Sequence, residues 1–322
     1  MTNHKEPIHA VSITPNRISY FMERASSHRT TESREASLAN LVNNAHNGDL
    51  SRKGSKRISS VVNWIAYLVD KKVQSPIHVN RGANLRIGLL TLTLPSKQLD
   101  SDQVIKSKCL NQLLIELRKD YGLGYYAWKA EKQKNGNLHF HVIIDRYINH
   151  KDLRTKWNRI INKLGYVNRY EKHFSGLSYS EYIRHRQKER KGSRVDFDKA
   201  WNNGQKYGWR SPNTIDIHSV REVKNMAGYL GKYMAKGDQD SSIEGRIWGS
   251  SQLLSKLKTC VAHEDHSLSA YLYKCYKQFD LRVWIHDHGH IVFLTSEFWN
   301  SLVSKPLELI LENYIRLKFN PV

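Results

Sequence analysis

The 322-residue sequence is poor in cysteine, proline and negative charge, and it has no long apolar run. Its three cysteines, Cys109, Cys260 and Cys275, are odd in number and far apart. This excludes a disulfide framework or a zinc knuckle and predicts free thiols in a reducing compartment. The longest apolar stretches, Val61–Val69 and Ile87–Pro95, fall far short of the ~20 residues a membrane-spanning helix needs. Nothing resembles a secretory signal, so a cytoplasmic protein with no membrane partner is expected. No Gly-x-x-x-x-Gly-Lys-Ser/Thr phosphate loop occurs, which argues against an appended ATPase helicase. Acidic residues number 30 against 51 Lys and Arg, a formal net charge of +21. A surplus this large calls for a polyanionic partner. The basic residues lie along the whole chain among 8 Trp, 17 Tyr and 8 Phe. Such rings are stacking surfaces for unpaired bases, which favours nucleic acid over an anionic membrane surface.

Residues 1–60 are polar and rich in Ser, Arg, Lys and Asn, and predict a basic, flexible N-terminal arm. Val61–Val73 predicts a short helix with Trp64, Ile65 and Leu68 inward. Asn84–Leu94 alternates as a strand, with Leu90, Leu92 and Leu94 on one face and Thr91 and Thr93 on the other. Asp102–Lys119 and Asn149–Leu164 have helical periodicity, and Tyr125–Lys132 predicts a further strand. Residues 175–211 are densely basic and predict an insertion or a long binding loop. It offers Arg184, Arg186, Arg190 and Lys191 as DNA contacts, and Arg246 and Trp248 join them further on. Trp128, Trp201 and Trp209 are further candidate base platforms. Asn213–His218 is a short strand carrying Asp216 and His218 on one face. Residues 251–322 mix helical segments with a hairpin around Trp284–Phe293. His286-Asp287-His288-Gly289-His290 has turn chemistry and is taken as a polar turn, not a metal cluster.

The most informative stretch is Asn137–Asp145. Strand side chains alternate between faces, so His139 and His141 share one face while Leu138, Phe140, Val142 and Ile144 share the other. Two imidazoles fixed on a strand can hold a divalent metal. Glu131, across the Asn135-Gly136 turn, is the candidate third ligand. A three-residue loop, 135–137, would set it opposite His141. A five-residue loop, 133–137, would set it opposite His139. A two-residue Asn-Gly loop would send it to the wrong face, because a one-residue slip flips a strand. Two imidazoles and a carboxylate leave positions open, which suits Mg²⁺ or Mn²⁺ acting as a Lewis acid on a phosphate oxygen.

Val220–Lys236 predicts a helix. At 100° per residue, Val223, Met226, Ala227, Leu230 and Met234 form an apolar stripe, with Tyr229 and Tyr233 together at its edge. Lys232 and Lys236 each follow a tyrosine by three residues. A tyrosine hydroxyl can attack a phosphodiester, and a nearby ammonium supports the charge that develops. The plain structural alternative places the rings inward and the hydroxyls in water.

Together these stretches resemble the HUH endonucleases, the replication initiators of rolling-circle plasmids and single-stranded DNA phages. The motifs are the strand Leu89–Pro95, the pair His139-Phe140-His141 with upstream Glu131, and the tyrosine helix with its following lysines. Two tyrosines with three residues between them are similar to the two-tyrosine branch. The resemblance covers residues 84–250 and implies an α+β fold, a central antiparallel sheet flanked by helices. It implies an endonuclease domain over 61–250, with the basic insertion at 175–211 and a C-terminal segment at 251–322. It further implies metal-dependent nicking and joining of a single-stranded origin through a 5′-phosphotyrosine link in a bacterial host cell. A separate helicase and the host DNA polymerase would complete the work. A transposase or relaxase with the same chemistry, or a non-catalytic basic DNA-binding protein, are the alternatives.

Overall fold

The computed structural model describes residues 8–23, 31–32, 34–36, 50–71, 85–189, 194–219, 243–263, 266–286 and 289–319. The fold is α+β, with two five-stranded sheets and helices packed against them. The strands are β1 Ile8–Thr14, β2 Arg17–Glu23, β3 Leu85–Leu92, β4 Tyr126–Lys132, β5 Leu138–Arg146, β6 Ile215–Ser219, β7 Trp248–Ser250, β8 Cys260–His263, β9 Val283–His286 and β10 Gly289–Phe293. One sheet has the order β8-β1-β2-β10-β9 and the other β6-β3-β5-β4-β7, and every pairing is antiparallel. Strands β3, β5 and β4, which carry the sequence motifs, stand side by side as their alternation predicts.

The apolar stripes decide what covers each face. Leu90, Leu92, Leu138, Phe140, Val142 and Ile144 are buried on one face of the β3-β5-β4 sheet. Helix α2 lies in the same core, running as Asp102–Val104, a π-helical Ile105–Leu110 and Asn111–Tyr121. So does α3, His150–Asn162, capped by the Asn149 side chain and burying Leu153, Trp157, Ile160 and Ile161. On the other face Ile87, Leu89, Ala127 and Ile143 join a second core. Its centre is α1, Arg52–Asp70, which starts at the Ser51 cap and buries Val61, Trp64, Ile65 and Leu68. The inner face of the other sheet, Val11, Ile13, Ile18, Tyr20 and Val292, closes the same core. Helices α8, His266–Phe279, and α10, Lys305–Phe319, contribute Leu272, Leu307, Leu311 and Ile315 to it.

Two regions differ from the sequence expectation. Residues 8–23, read as part of a polar arm, form the β1–β2 hairpin at the heart of a sheet. The local alternation of Val11 and Ile13 with Ile18 and Tyr20 overrides the polar average of residues 1–60. Residues 175–211, read as an insertion or loop, are largely helical, with α5 Tyr179–Glu189 and α6 Arg194–Tyr207 following α4 Tyr166–Ser175. They build a separate small core from Phe174, Tyr182, Phe197 and Trp209, with Trp201 packed against it. Trp201 and Trp209 are therefore core rings and not base platforms. Trp128 likewise packs against the α2–α3 core.

Phe140 is fully buried between the two histidines in sequence and meets Trp128 edge-on, with ring centroids 6.3 Å apart. Replacing it by Ala leaves a cavity under the strand that positions the site. Phe140→Ala should cost about 3–5 kcal/mol of unfolding free energy, read by urea denaturation.

Candidate functional site

The β4–β5 hairpin sets the site. Its register pairs Glu131 with His139, Lys129 with His141 and Ala130 with Phe140. The connection is therefore the five-residue loop 133–137, the longer of the two odd-length turns that put Glu131 on the histidine face. Gln133 N–H donates to the Asn137 carbonyl at 2.9 Å, and Gly136 N–H donates to the Gln133 carbonyl at 2.8 Å. Gly136 has φ +80°, a conformation that favours glycine. Asn137 is buried and pins the turn to the loop after β3. Its Oδ1 accepts from Gln98 N–H at 2.8 Å, and its Nδ2 donates to the Ser96 carbonyl at 2.9 Å.

The register extends across the sheet. Asp216, Thr91, His141, Lys129 and Trp248 stand in one row over the five strands. Glu131 Oε2 lies 3.3 Å from His141 Nε2, and Thr91 Oγ1 lies 3.5 Å from His141 Nδ1. The His139 and His141 rings are 4.5 Å apart between centroids and nearly perpendicular. His139 Nδ1 is buried and has no hydrogen-bond partner in the structure. Lys129 is only 2% exposed, and its ammonium donates to Glu131 Oε1 at 2.5 Å. A lysine this buried survives because it is paired.

Electrostatics follow from this packing. Burial alone would push the Glu131 carboxyl up. Hydrogen bonds from His141 and Lys129, together with the Lys129 charge, outweigh it and hold the carboxyl at about 2. Burial pushes the His139 imidazole down to about 4, helped by His141 and opposed by Glu131. Both groups therefore stand in the protonation state that a metal ligand requires at neutral pH. Among the described residues, no three His, Cys, Asp or Glu side chains are placed to hold a metal ion as they stand. The Lys129 ammonium instead occupies one Glu131 oxygen. The donor set itself, two neutral imidazoles and one carboxylate on a rigid hairpin with one buried nitrogen unpartnered, fits a divalent cation.

Tyr229, Lys232, Tyr233 and Lys236, with Arg190 and Lys191, lie outside the described residues. The ends of the tyrosine segment are placed. Residue 219 ends β6, at one edge of the sheet, and Trp248 begins β7, at the other. The returning chain is gripped at Glu244–Ile247. Lys106, nearly buried in the π-helical turn, donates to the carbonyls of Glu244 and Arg246. The Asp102 carboxylate accepts from Glu244 N–H at 3.2 Å, and Ala130 N–H donates to the Ile247 carbonyl at 2.8 Å. β7 then lies close against Trp128, where only glycine fits at 249, since a Cβ there would sit 2.7 Å from the indole nitrogen.

The remaining candidates divide. Arg184 and Arg246 are exposed. Arg186 is half-buried, its guanidinium over the rings of Phe174 and Tyr182 at 5.0 and 5.3 Å, so packing claims it. Trp248 is half-buried beside Lys129. Thr93 points its hydroxyl at the Thr214 carbonyl, away from the histidines. Asp216 and His218 form an exposed pair at 2.8 Å on the edge strand, on the histidine face. The sequence reading missed Lys129. The parity that selected Glu131 also selects Lys129, two residues earlier on the same strand. All three cysteines are free and buried. No described helix is long and apolar enough to cross a membrane.

Residues 88–238, a little under half of the chain, match the family of the replication-associated protein ORF2. That match supports a replication initiator, and with it a role in DNA replication and in binding DNA. No curated protein and no solved structure matches the chain.

The His139 shift makes a stability prediction. Its folded value, about 4, lies below the ordinary 6.5. The unfolded chain takes up a proton as pH falls through 6.5, while the folded chain resists until about 4. The contribution is thus fully present above pH 6.5 and is lost on acidification toward pH 4. Urea denaturation of the metal-free chain should show stability falling over this window. In His139→Gln the fall should be smaller by up to roughly 3 kcal/mol.

Proposed function

We propose that the chain initiates rolling-circle replication by nicking and rejoining a single-stranded DNA origin, as a two-tyrosine HUH-type endonuclease. The observation that carries this reading is the placement of Glu131 opposite His139 and against His141. Three donors of the right chemistry share one face of a rigid hairpin. His139, His141 and Glu131 would hold Mg²⁺ or Mn²⁺, which supplies Lewis-acid polarisation of a phosphate oxygen when bound.

The chain's own residues do the rest. The hydroxyl of Tyr229 or Tyr233 attacks the scissile phosphorus. A tyrosine O–P bond forms, the bond from phosphorus to the 3′-oxygen breaks, and the 3′-hydroxyl leaves with a proton. The product is a 5′-phosphotyrosine link. One phosphodiester replaces another, so no nucleotide energy source is needed. Lys232 and Lys236 offset the charge that develops on the phosphate. The second tyrosine, or the released 3′-hydroxyl, reverses the step to join ends. The free 3′-hydroxyl is a primer for the host DNA polymerase, and the missing phosphate loop assigns strand separation to a separate helicase. Arg184 and Arg246, exposed and basic, suit contacts to the DNA backbone.

Mixing the full chain with single-stranded origin DNA and Mn²⁺ should give a covalent adduct on a denaturing gel. Tyr229→Phe combined with Tyr233→Phe should remove it; an adduct that survives both changes sinks the mechanism. His139→Ala with His141→Ala should abolish the adduct yet leave most DNA binding, because binding comes mainly from charge.

Lys129 generates a separate expectation. Its ammonium neutralises the carboxylate that the metal would use, so cation and lysine compete for Glu131. Lys129→Met should tighten Mn²⁺ binding by about tenfold or more, measured by titration calorimetry on the full chain without DNA. Glu131→Gln should weaken it. Unchanged Mn²⁺ affinity in a folded Lys129→Met variant would mean that the lysine does not stand in the cation's place.

A further inference from the structure

One sheet face remains outside both cores. In the β8-β1-β2-β10-β9 sheet, Val11, Ile13, Ile18, Tyr20 and Val292 point into the core around α1. The alternate residues form the opposite face. Register places Val261, Ser12, Ser19, Ile291 and Trp284 in one row across all five strands. The next row carries Thr14, Arg17 and Phe293, and the Arg282 guanidinium sits 5.4 Å from the centroid of the Phe293 ring. His286 lies beside Trp284, with ring centroids 5.6 Å apart. Trp284 is 56% exposed and Val261 53%, and Arg17 and Arg282 are exposed. Ser12, Ser19, Ile291 and Phe293 belong to neither buried core.

We propose that this face is a binding surface for single-stranded DNA, with bases stacked on Trp284 and Phe293 and phosphates met by Arg17 and Arg282. The choice of ligand rests on the function proposed above; the surface itself does not. Four physical points support it. An indole more than half exposed on a strand contributes little to the fold but offers a large flat ring to a base. The two serines at the middle of the row keep the floor low, so a strand can lie across it between the rings. No carboxylate stands in either row, and two guanidinium groups do, which is charge complementarity to a polyanion in a chain of net charge +21. Bases in a duplex are already stacked and paired, so exposed rings on an open sheet select unpaired strands. Helix α1 packs on β3, β4 and β5 and shares its core with the inner face of this sheet. The surface therefore faces away from His139, and a strand held here is not the strand held at the histidines.

The test is binding of fluorescein-labelled oligothymidylate of about 16 nucleotides to the full chain in EDTA, read by anisotropy. Without metal no nicking intervenes, so the result does not depend on the endonuclease reading. Trp284→Ala should weaken binding about fivefold to a hundredfold, while Trp284→Phe, which keeps a ring, should stay within about twofold of the parent. Arg17→Ser should reduce the slope of log affinity against log salt by about 1. A blunt-ended duplex should bind the parent and Trp284→Ala equally. Wild-type affinity in Trp284→Ala overturns the proposal. So does a loss that Trp284→Phe fails to rescue, or an equal loss for duplex, since either would point to structure or charge and not to stacking. Loss of the phosphotyrosine adduct with these binding results intact would remove the endonuclease reading and leave this surface standing.

Discussion

The site depends on a count of residues in one turn. Between Lys132 and Leu138 lie five residues, and this odd number keeps Glu131 and His139 on the same face. An even turn would face Glu131 into the core beside Phe140, where an unpaired carboxylate is costly. The turn is not left to local preference alone. Buried Asn137 satisfies two backbone groups of the loop after β3, and Gln98 accepts from Leu138 N–H at 2.7 Å. The register is thus fixed from outside the hairpin, by a segment that itself continues β3 and carries Thr91 to the histidines.

Charge balance is the second constraint. Glu131 is buried enough that desolvation alone would raise its pKa, and yet it is held ionised. Lys129 is what holds it, and Lys129 is more deeply buried than the carboxylate it serves. The breaking of such a pair is expensive unless another cation replaces the lysine. A divalent cation is the replacement that the neighbouring imidazoles suit. The same balance explains why the donors do not converge as they stand: the carboxylate is turned toward an ammonium.

Much of this was legible from residue pattern. The period-2 alternation of 138–145 and the leucines of β3 identified the strands, because each has one face in a core. The helical stripes of α2 and α3 were equally plain. The β1–β2 hairpin escaped because four apolar residues, Val11, Ile13, Ile18 and Tyr20, sit within a polar stretch whose average suggested an arm. Helices α5 and α6 escaped for a related reason. Their basic density suggested a loop, while their packing rests on a few large rings, Tyr182, Phe197 and Trp209, that reach each other only in the folded chain. The turn length could not be read from Asn135-Gly136, since the pins that choose between three and five residues come from Ser96 and Gln98, about forty positions away.

The path of the chain after β6 supplies the last constraint. β6 and β7 are the two edges of one sheet, with β3, β5 and β4 between them. Four strand spacings separate those edges, about 19 Å. Any segment joining them must cross the sheet, over the histidine face, over the opposite face or around an end. The opposite face is closed by α2 and α3 packed on Phe140 and Leu138. The histidine face is closed by α1 only where Ile87, Leu89 and Ile143 lie, and at His139 and Glu131 the strand side chains are polar. The grip of Lys106 and Asp102 on Glu244–Arg246 fixes the far end of the crossing at the level of the Glu131–His139 pair. In the proposed mechanism this is what lets the intervening residues, 220–242, deliver a tyrosine hydroxyl to a phosphate held at the hairpin. Both ends are anchored on the sheet that carries the ligands, so the nucleophile and the ligands share one rigid frame.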